Sequence, residues 1–312
     1  MSAIVLSLTD SDADAALWQM RCDMAAAFRV QARHGWNEQI GNHNSLMLPG
    51  EEARFLINPR GLLFQELTAS TLILCDLEGQ VLEGRGELRK VAFHIHARLH
   101  LARPGAACVM HVHPQYLTAL SLLETPELAL AHHNNLLLND RVAIDDHGDA
   151  PAGSHAEGDR IAAALGEKSI LVMGGHGVTV VGPTVADAFD ELFIAERTCM
   201  YQMTAMATGL PLRRLPEGGR RRWSGPWGEK IDARLHLDAW RRVLDREEPV
   251  ILDIYKKILD ATKRRGLRAC VHCGSPAYAK RMIAMGFHLV TISNDSGLML
   301  GAARAAVTAA RA

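Results

Sequence analysis

The sequence predicts an α/β or α+β domain of about 215 residues, followed by a connector and a small βα tail. Three observations predict it. Strand-like and helix-like apolar patterns alternate through the first two thirds of the 312-residue chain. A break rich in basic residues and turn formers then interrupts them at 211–222. Two further strand–helix repeats follow, over 267–309. The boundaries so drawn are 1–215 for the main domain, 216–245 for a connector and helix, and 246–312 for the C-terminal extension.

Each element has its own signal. Residues 13–32 carry an apolar stripe at helical spacing through Leu17, Met20, Met24, Ala27 and Phe28, and Gly35 is a stop. Gly41-Asn42-His43-Asn44-Ser45 reads as a tight polar turn that feeds strands at 45–48 and 54–58. A strand at 68–75, opening on a short helix, is turned back toward Val81 by Asp76-Leu77-Glu78-Gly79. Residues 91–101 are helical until Arg103-Pro104-Gly105, where proline removes a donor. The small and β-branched run at 106–110 is a buried strand, and 114–123 is a short helix. Helices at 156–165 and 185–210 flank a strand at 169–173. Beyond the break, where Trp223 and Trp227 are read as anchors, 231–244 and 250–265 are helical. A strand (267–272), a helix (276–285), a strand (287–292) and a helix (298–309) complete the chain. Two parallel strands do not bury both faces alone, so this tail is expected to dock on the main domain or on a partner chain.

Composition narrows the function classes. With 34 Lys and Arg against 35 Asp and Glu, the formal charge is -1, which gives no support to a nucleic-acid or anionic-membrane partner. The first residues lack a basic start, and no apolar run approaches the roughly 20 residues of a bilayer span. Cys22, Cys75, Cys108 and Cys199 have no framework spacing, which points to a reducing cytoplasm. Cys270-Val271-His272-Cys273 is a weak metal or redox signal beside the simpler reading of buried thiols.

The chemistry concentrates in His111-Val112-His113 and, about sixty residues later, Gly174-Gly175-His176-Gly177. Strand alternation points His111 and His113 to one face. A third imidazole at the end of the 169–173 strand can complete a three-histidine metal site with an open position. The competing reading is three interior histidines satisfied by backbone. On the preceding helix, His96 and His100 are four apart and share a face, as metal ligands or as hydrogen-bonding support for them. No carboxylate has an obvious place: Glu87 precedes that helix and Glu124 follows it.

These motifs, with Ile57-Asn58-Pro59-Arg60-Gly61-Leu62-Leu63-Phe64-Gln65-Glu66-Leu67-Thr68 and Gly41-Asn42-His43-Asn44-Ser45, resemble the class II aldolase/adducin family over about residues 13–210. That family holds metal-dependent sugar-phosphate aldolases, epimerases, decarboxylases, non-haem iron oxygenases and the non-enzymatic adducin head. The resemblance implies a three-layer α/β/α fold around a mixed, largely antiparallel sheet, with sites between the subunits of a cyclic homotetramer. It implies metal ligation by His111, His113 and His176, with Zn²⁺ first and Mn²⁺ or Fe²⁺ as alternatives. The sequence also departs from the aldolases. Counting back from Arg103-Pro104 puts Ala92 at the position of their catalytic glutamate and His100 at a tyrosine. Lys90 and Val91 stand at two phosphate-binding serines, and Arg60 at a threonine. Two cations in place of hydroxyls suit a carboxylate or another compact anion. The family's later catalytic tyrosine falls at or beside His132-His133, where imidazole can move the proton. The end of the chain, with Gly286-Phe287-His288 and Asn294-Asp295-Ser296-Gly297, is similar to the end of the HpcH/HpaI aldolases, without the strands that hold their metal.

The expected function is a metal-dependent carbon–carbon lyase, by retro-aldol cleavage or decarboxylation, acting on a small carboxylate-bearing hydroxy or oxo substrate. Asn42, Arg60, Lys90 and His100 are the candidate substrate contacts, and His132, His133 and His96 the candidate proton-handling groups. The alternatives are a non-haem iron oxygenase or oxidative decarboxylase, and an adducin-like binding module.

Overall fold

The computed structural model describes residues 10–138, 140–146, 154–215, 233–245, 249–273 and 276–292. The chain divides into two compact units, Met1–Arg242 and Val243–Ala312.

In the first unit the strands are β1 (His43–Met47), β2 (Arg54–Ile57), β3 (Ile73–Asp76), β4 (Val81–Glu83), β5 (Cys108–Val112), β6 (Val142–Asp145), β7 (Ile170–Met173) and β8 (Gly177–Gly182). They form one sheet in the order β4-β3-β2-β1-β5-β8-β7-β6. Every pairing is antiparallel except β6 with β7, so the sheet is mixed. The helices are α1 (Asp10–Arg33), α2 (Lys90–Ala102), α3 (Gln115–Ser121), α4 (His155–Leu165), α5 (Val185–Met206) and α6 (Ala233–Asp245).

Burial assigns the layers. Ile95 and Leu99 of α2, with Ile161 and Leu165 of α4, pack on Val109, Leu171 and Val181 of the sheet. The other side of α2, through Ala92, Phe93 and Ala97, covers Phe55, Ile57, Ile73 and Cys75. Helices α1, α3 and α5 lie in contact with each other or with β1, β5, β7 and β8. The result is the three-layer α/β/α arrangement. Fully burying one leucine or phenylalanine of these layers contributes about 1.5–3 kcal/mol. Helix α6 joins through the fully buried Leu237 and through polar contacts: Arg241 reaches Asp23 of α1 at 2.7 Å, and His236 Nδ1 lies 2.7 Å from Asp190 of α5.

The pattern of apolar residues finds most elements within a few residues. It misses β6 and β8, and β8 matters most: it lies between β5 and β7, so the strand ahead of His176 is not the neighbour of β5. The helix predicted at 185–210 ends at Met206, and Gly209 follows with φ 74°. None of the described helices is long and apolar enough to cross a membrane.

The second unit contains α7 (Pro249–Arg264), β9 (Cys270–Cys273), α8 (Pro276–Met285) and β10 (Leu289–Ile292), with β9 and β10 parallel. Ala269, Cys273, Ala279, Met282 and Phe287 form its core, flanked by Tyr255 and Leu259. The helix predicted at 298–309 and the connector tryptophans lie outside the described residues.

Candidate metal centre

The central strand β5 is buried at every position, and the chain leaves it through His113 and Pro114 into α3. His111 belongs to the strand, and the His113 N–H donates to the Trp36 carbonyl at 2.9 Å. Two residues apart, both rings emerge on one side of the sheet. His176 comes from the β7–β8 hairpin, whose turn is Gly174-Gly175-His176. Gly175 there adopts φ 68°, which glycine takes without a Cβ penalty. A Cβ on Gly177 would collide with the His113 ring. A Cβ on Gly174 would come to 2.9 Å from the Asp145 carbonyl. The glycines therefore let the hairpin close onto β5 and β6.

The three imidazoles offer one nitrogen each, and these atoms all lie within 4.8 Å of one another. On His111 and His113 the second nitrogen is held from outside. His111 Nδ1 is 3.1 Å from Thr179 Oγ1, and that hydroxyl also donates to the Met173 sulfur at 3.4 Å. His113 Nδ1 is 2.9 Å from Glu38 Oε2. His113 Nε2 is buried and has no hydrogen-bond partner. A buried polar atom without a partner costs about 1–3 kcal/mol, so this nitrogen calls for a ligand. Burial, followed by the neighbouring His176 and His113, pushes His111 well below the usual imidazole range. His111 is then neutral at pH 7, the form that ligates. An imidazole whose far N–H is fixed by a carboxylate or hydroxyl is the arrangement that orients a metal ligand, and the donor set fits a divalent cation.

The cluster opens into a cavity of about 1360 Å³, whose walls include Glu38, His43, Arg60, Arg89, Lys90 and Glu157. Arg60 and Lys90 thus share a space with the three histidines. Lys90 is the first residue of α2, and Arg60 lies 3.8 Å from Glu87. Asn42 lies beneath the surface: its Oδ1 accepts from the Glu38 N–H at 2.6 Å, and its carbonyl accepts from Asn58 Nδ2 at 3.2 Å. His96 and His100 are buried behind the cluster. His96 Nε2 is 2.7 Å from His43 Nδ1, His96 Nδ1 contacts Ser45 Oγ, and His100 Nε2 is 2.7 Å from the same hydroxyl. Burial lowers the His100 pKa to about 4. His132 and His133 stand at the start of a 3-10 turn, His133–Leu138, against each other and Tyr201. Within one chain they are not part of this cavity wall.

Two residues at the cluster are not among the site residues expected from the sequence. Glu38 supplies the carboxylate for which no place was found, and His43 stacks on His111 with ring centroids 4.8 Å apart. The β1–β5 register pairs His43 directly with His111, so the alternation of β1 was the available signal. Ala92, counted to the aldolase glutamate position, is buried in the core with Phe55 and Phe93.

Comparison with known proteins decides the family. The profile described as Class II Aldolase and Adducin N-terminal domain matches residues 22–203. The chain belongs to the class II aldolase/adducin family. A Caulobacter vibrioides protein bearing the class name aldolase class 2 is 39% identical over 193 residues, covering 62% of this chain and 74% of that protein. Human beta-adducin is 30% identical over 246 residues, covering 72% of this chain and 33% of that protein. Among solved structures, an aldolase II superfamily protein from Pseudomonas syringae superposes with a TM-score of 0.68 at 30% identity, over 73% of this chain and 93% of that one. The L-fuculose 1-phosphate aldolase of Glaciozyma antarctica PI12 gives 0.67 at 26% identity, over 77% and 93%. Membership of the class II aldolase/adducin family, together with the three-histidine cluster, supports a metal-dependent catalytic function in general terms.

Proposed function

We propose that this class II aldolase/adducin protein is a metal-dependent carbon–carbon lyase acting on a small carboxylate-bearing hydroxy or oxo substrate. The observation that carries the proposal is a buried, unpartnered His113 Nε2 in a cluster where His111, His113 and His176 each bring one ring nitrogen within 4.8 Å of the others. His111, His113 and His176 would hold the cation, with Zn²⁺ first and Mn²⁺ or Fe²⁺ as alternatives. When bound, it supplies Lewis acidity to the negative charge that develops beside the breaking carbon–carbon bond.

The chain's own residues do the rest. Arg60 and Lys90 place positive charge on the cavity wall, where a carboxylate can be held and oriented. Val91, Ile95 and Ile161 make the adjoining wall apolar, which strengthens those charge contacts by limiting water. Asn42 and His100 act on the substrate only through the turn and the strand they brace. His96 carries no proton to the cavity directly and holds His43, which faces it. His132 or His133 would reach a reacting group from a neighbouring copy, in a homotetramer with sites between subunits. We read 246–312, similar to the end of the HpcH/HpaI aldolases, as a structural and oligomerising extension.

The test is metal analysis and turnover of His113→Ala against small hydroxy and oxo acids, with and without O₂. Simultaneous loss of tight metal and of anaerobic cleavage is expected. An active variant that keeps its tightly held cation overturns the ligand assignment. Turnover that requires O₂ replaces the lyase with an oxygenase, and a metal-free, inert wild type replaces it with an adducin-like binding module.

A further inference from the structure

Helices α2 and α4 approach closely at Gly158, where an added Cβ would collide with the His94 carbonyl and the Arg98 side chain. One turn earlier in α4, that approach sets His155 against His94. Their ring centroids are 4.7 Å apart, the planes are at 90°, and the two Nδ1 atoms are 3.4 Å from each other. Phe93 covers both rings from one side, at 5.3 Å from His94 and 5.9 Å from His155. The other side is open to solvent: His94 is half-buried and His155 exposed.

The separation is informative. Two nitrogens each about 2.0–2.1 Å from a tetrahedral cation stand roughly 3.3–3.4 Å apart. The His94–His155 pair already has this spacing, on helices whose backbones are locked by the glycine contact. A hydrogen bond between two neutral imidazoles is the other use of such a distance, and it leaves the same two rings free to turn toward a cation.

We propose that His94 and His155 chelate a second divalent cation of the zinc type, bridging α2 to α4, with water filling the remaining positions. The site is separate from the three-histidine cluster, since neither residue is on the cavity wall. Its helices nevertheless build that wall: Lys90, Val91 and Ile95 come from α2, and Glu157 and Ile161 from α4. A cation at the bridge ties these two walls together, so occupancy adjusts the cavity from outside it. The charges around the pair are Lys90, one turn earlier in α2, and the Arg98–Asp159 ion pair one turn later, at 2.5 Å. Lys90 opposes a bound cation, which makes this the weaker of the two sites. His94 is held below the usual imidazole range first by burial and then by His155 and Lys90, so it is in its ligating form at pH 7.

The experiment is a Zn²⁺ titration of the tag-free, metal-stripped chain in competition with a chromophoric chelator. Wild type is expected to take up two equivalents, one tight and one weaker. His94→Ala and His155→Gln should each lose the weaker equivalent and keep the tight one, while His113→Ala loses the tight one and keeps the weaker. A single wild-type equivalent that His94→Ala and His155→Gln retain overturns the second site. So does a weaker equivalent that survives both His94→Ala and His155→Gln, as binding at the exposed Cys270 would. The second site rests on its own pair of residues: a lyase reading that fails on substrate or on O₂ leaves the stoichiometries untouched, and one that fails for want of the tight cation still leaves a weaker equivalent that requires His94 and His155.

Discussion

Glu38 Oε2 lies 2.9 Å from His113 Nδ1, across 75 positions of sequence. The loop that carries Glu38 is closed by its own carbonyl accepting from the Gly41 N–H at 2.8 Å, and the Asn42 side chain receives its N–H. The carboxylate is therefore presented to the imidazole by a folded turn, although it remains largely solvent-exposed. It fixes which ring nitrogen of His113 carries the proton and leaves Nε2 bare for a metal.

Glu38→Gln keeps a hydrogen-bond acceptor and should weaken metal binding modestly. Glu38→Ala removes the acceptor and should weaken it by about 10–100-fold. Chelator competition on the two variants measures this. Equal affinity in wild type and Glu38→Ala would show that the contact orients nothing.

Gly177→Ala should displace the His113 ring, because the new methyl group occupies its position. The expected result is loss of the tight cation with the sheet retained, read by metal analysis beside circular dichroism. Unchanged metal content would mean that the hairpin relaxes away from β5 at no cost to the site.

Glu196 caps α3 from the long helix α5. Its two oxygens accept from the Tyr116 and Leu117 N–H groups, each at 2.9 Å. Those are first-turn donors of a seven-residue helix that starts directly after His113-Pro114. Glu196→Ala should cost about 1–3 kcal/mol, the range for leaving buried donors unpaired. Urea unfolding of the variant checks this, and a loss below 0.5 kcal/mol, within the usual scatter of surface substitutions, counts against the cap.

Acid should unfold the protein through its buried imidazoles. The His100 pKa falls to about 4 in the fold, from the ordinary 6.5. Between those values the unfolded chain binds the proton and the native one does not. Stability is therefore complete above pH 6.5 and declines as pH drops toward 4, by up to about 3 kcal/mol for this residue. Burial moves His43, His96 and His111 in the same direction, so the decline involves more than one proton. Denaturant midpoints at pH 7.5, 6 and 5 measure it, and a midpoint that is flat with pH would contradict the buried, neutral assignment.

The sequence made part of this legible. His111 and His113 announce themselves because a β-branched run delivers both to one face, and the glycines before His176 mark a turn that only small residues can make. What pattern alone did not reveal was partnership. Glu38 sits in a loop without periodicity and meets His113 only because β1 pairs with β5 and the loop folds back over the strand end. Strand β8 was passed over because its run, Val178-Thr179-Val180-Val181, is short and enclosed by glycines. Counting along α2 gives the position of Ala92 and leaves open which side of the helix it occupies; its side chain packs in the core. Among its described residues the second unit shows two strands and two helices within a few residues of where expected, since short apolar runs between turns are a local signal.

His111 lies in, and His113 and His176 directly beside, one continuous patch of ladder, with β8 hydrogen-bonded to β5 on one edge and to β7 on the other. No hinge separates the donors, and none waits on a distant segment to arrive. The socket is thus shaped before any ion enters, so selection among cations rests on size and coordination preference, and stripping the metal should leave a protein that is empty yet still folded.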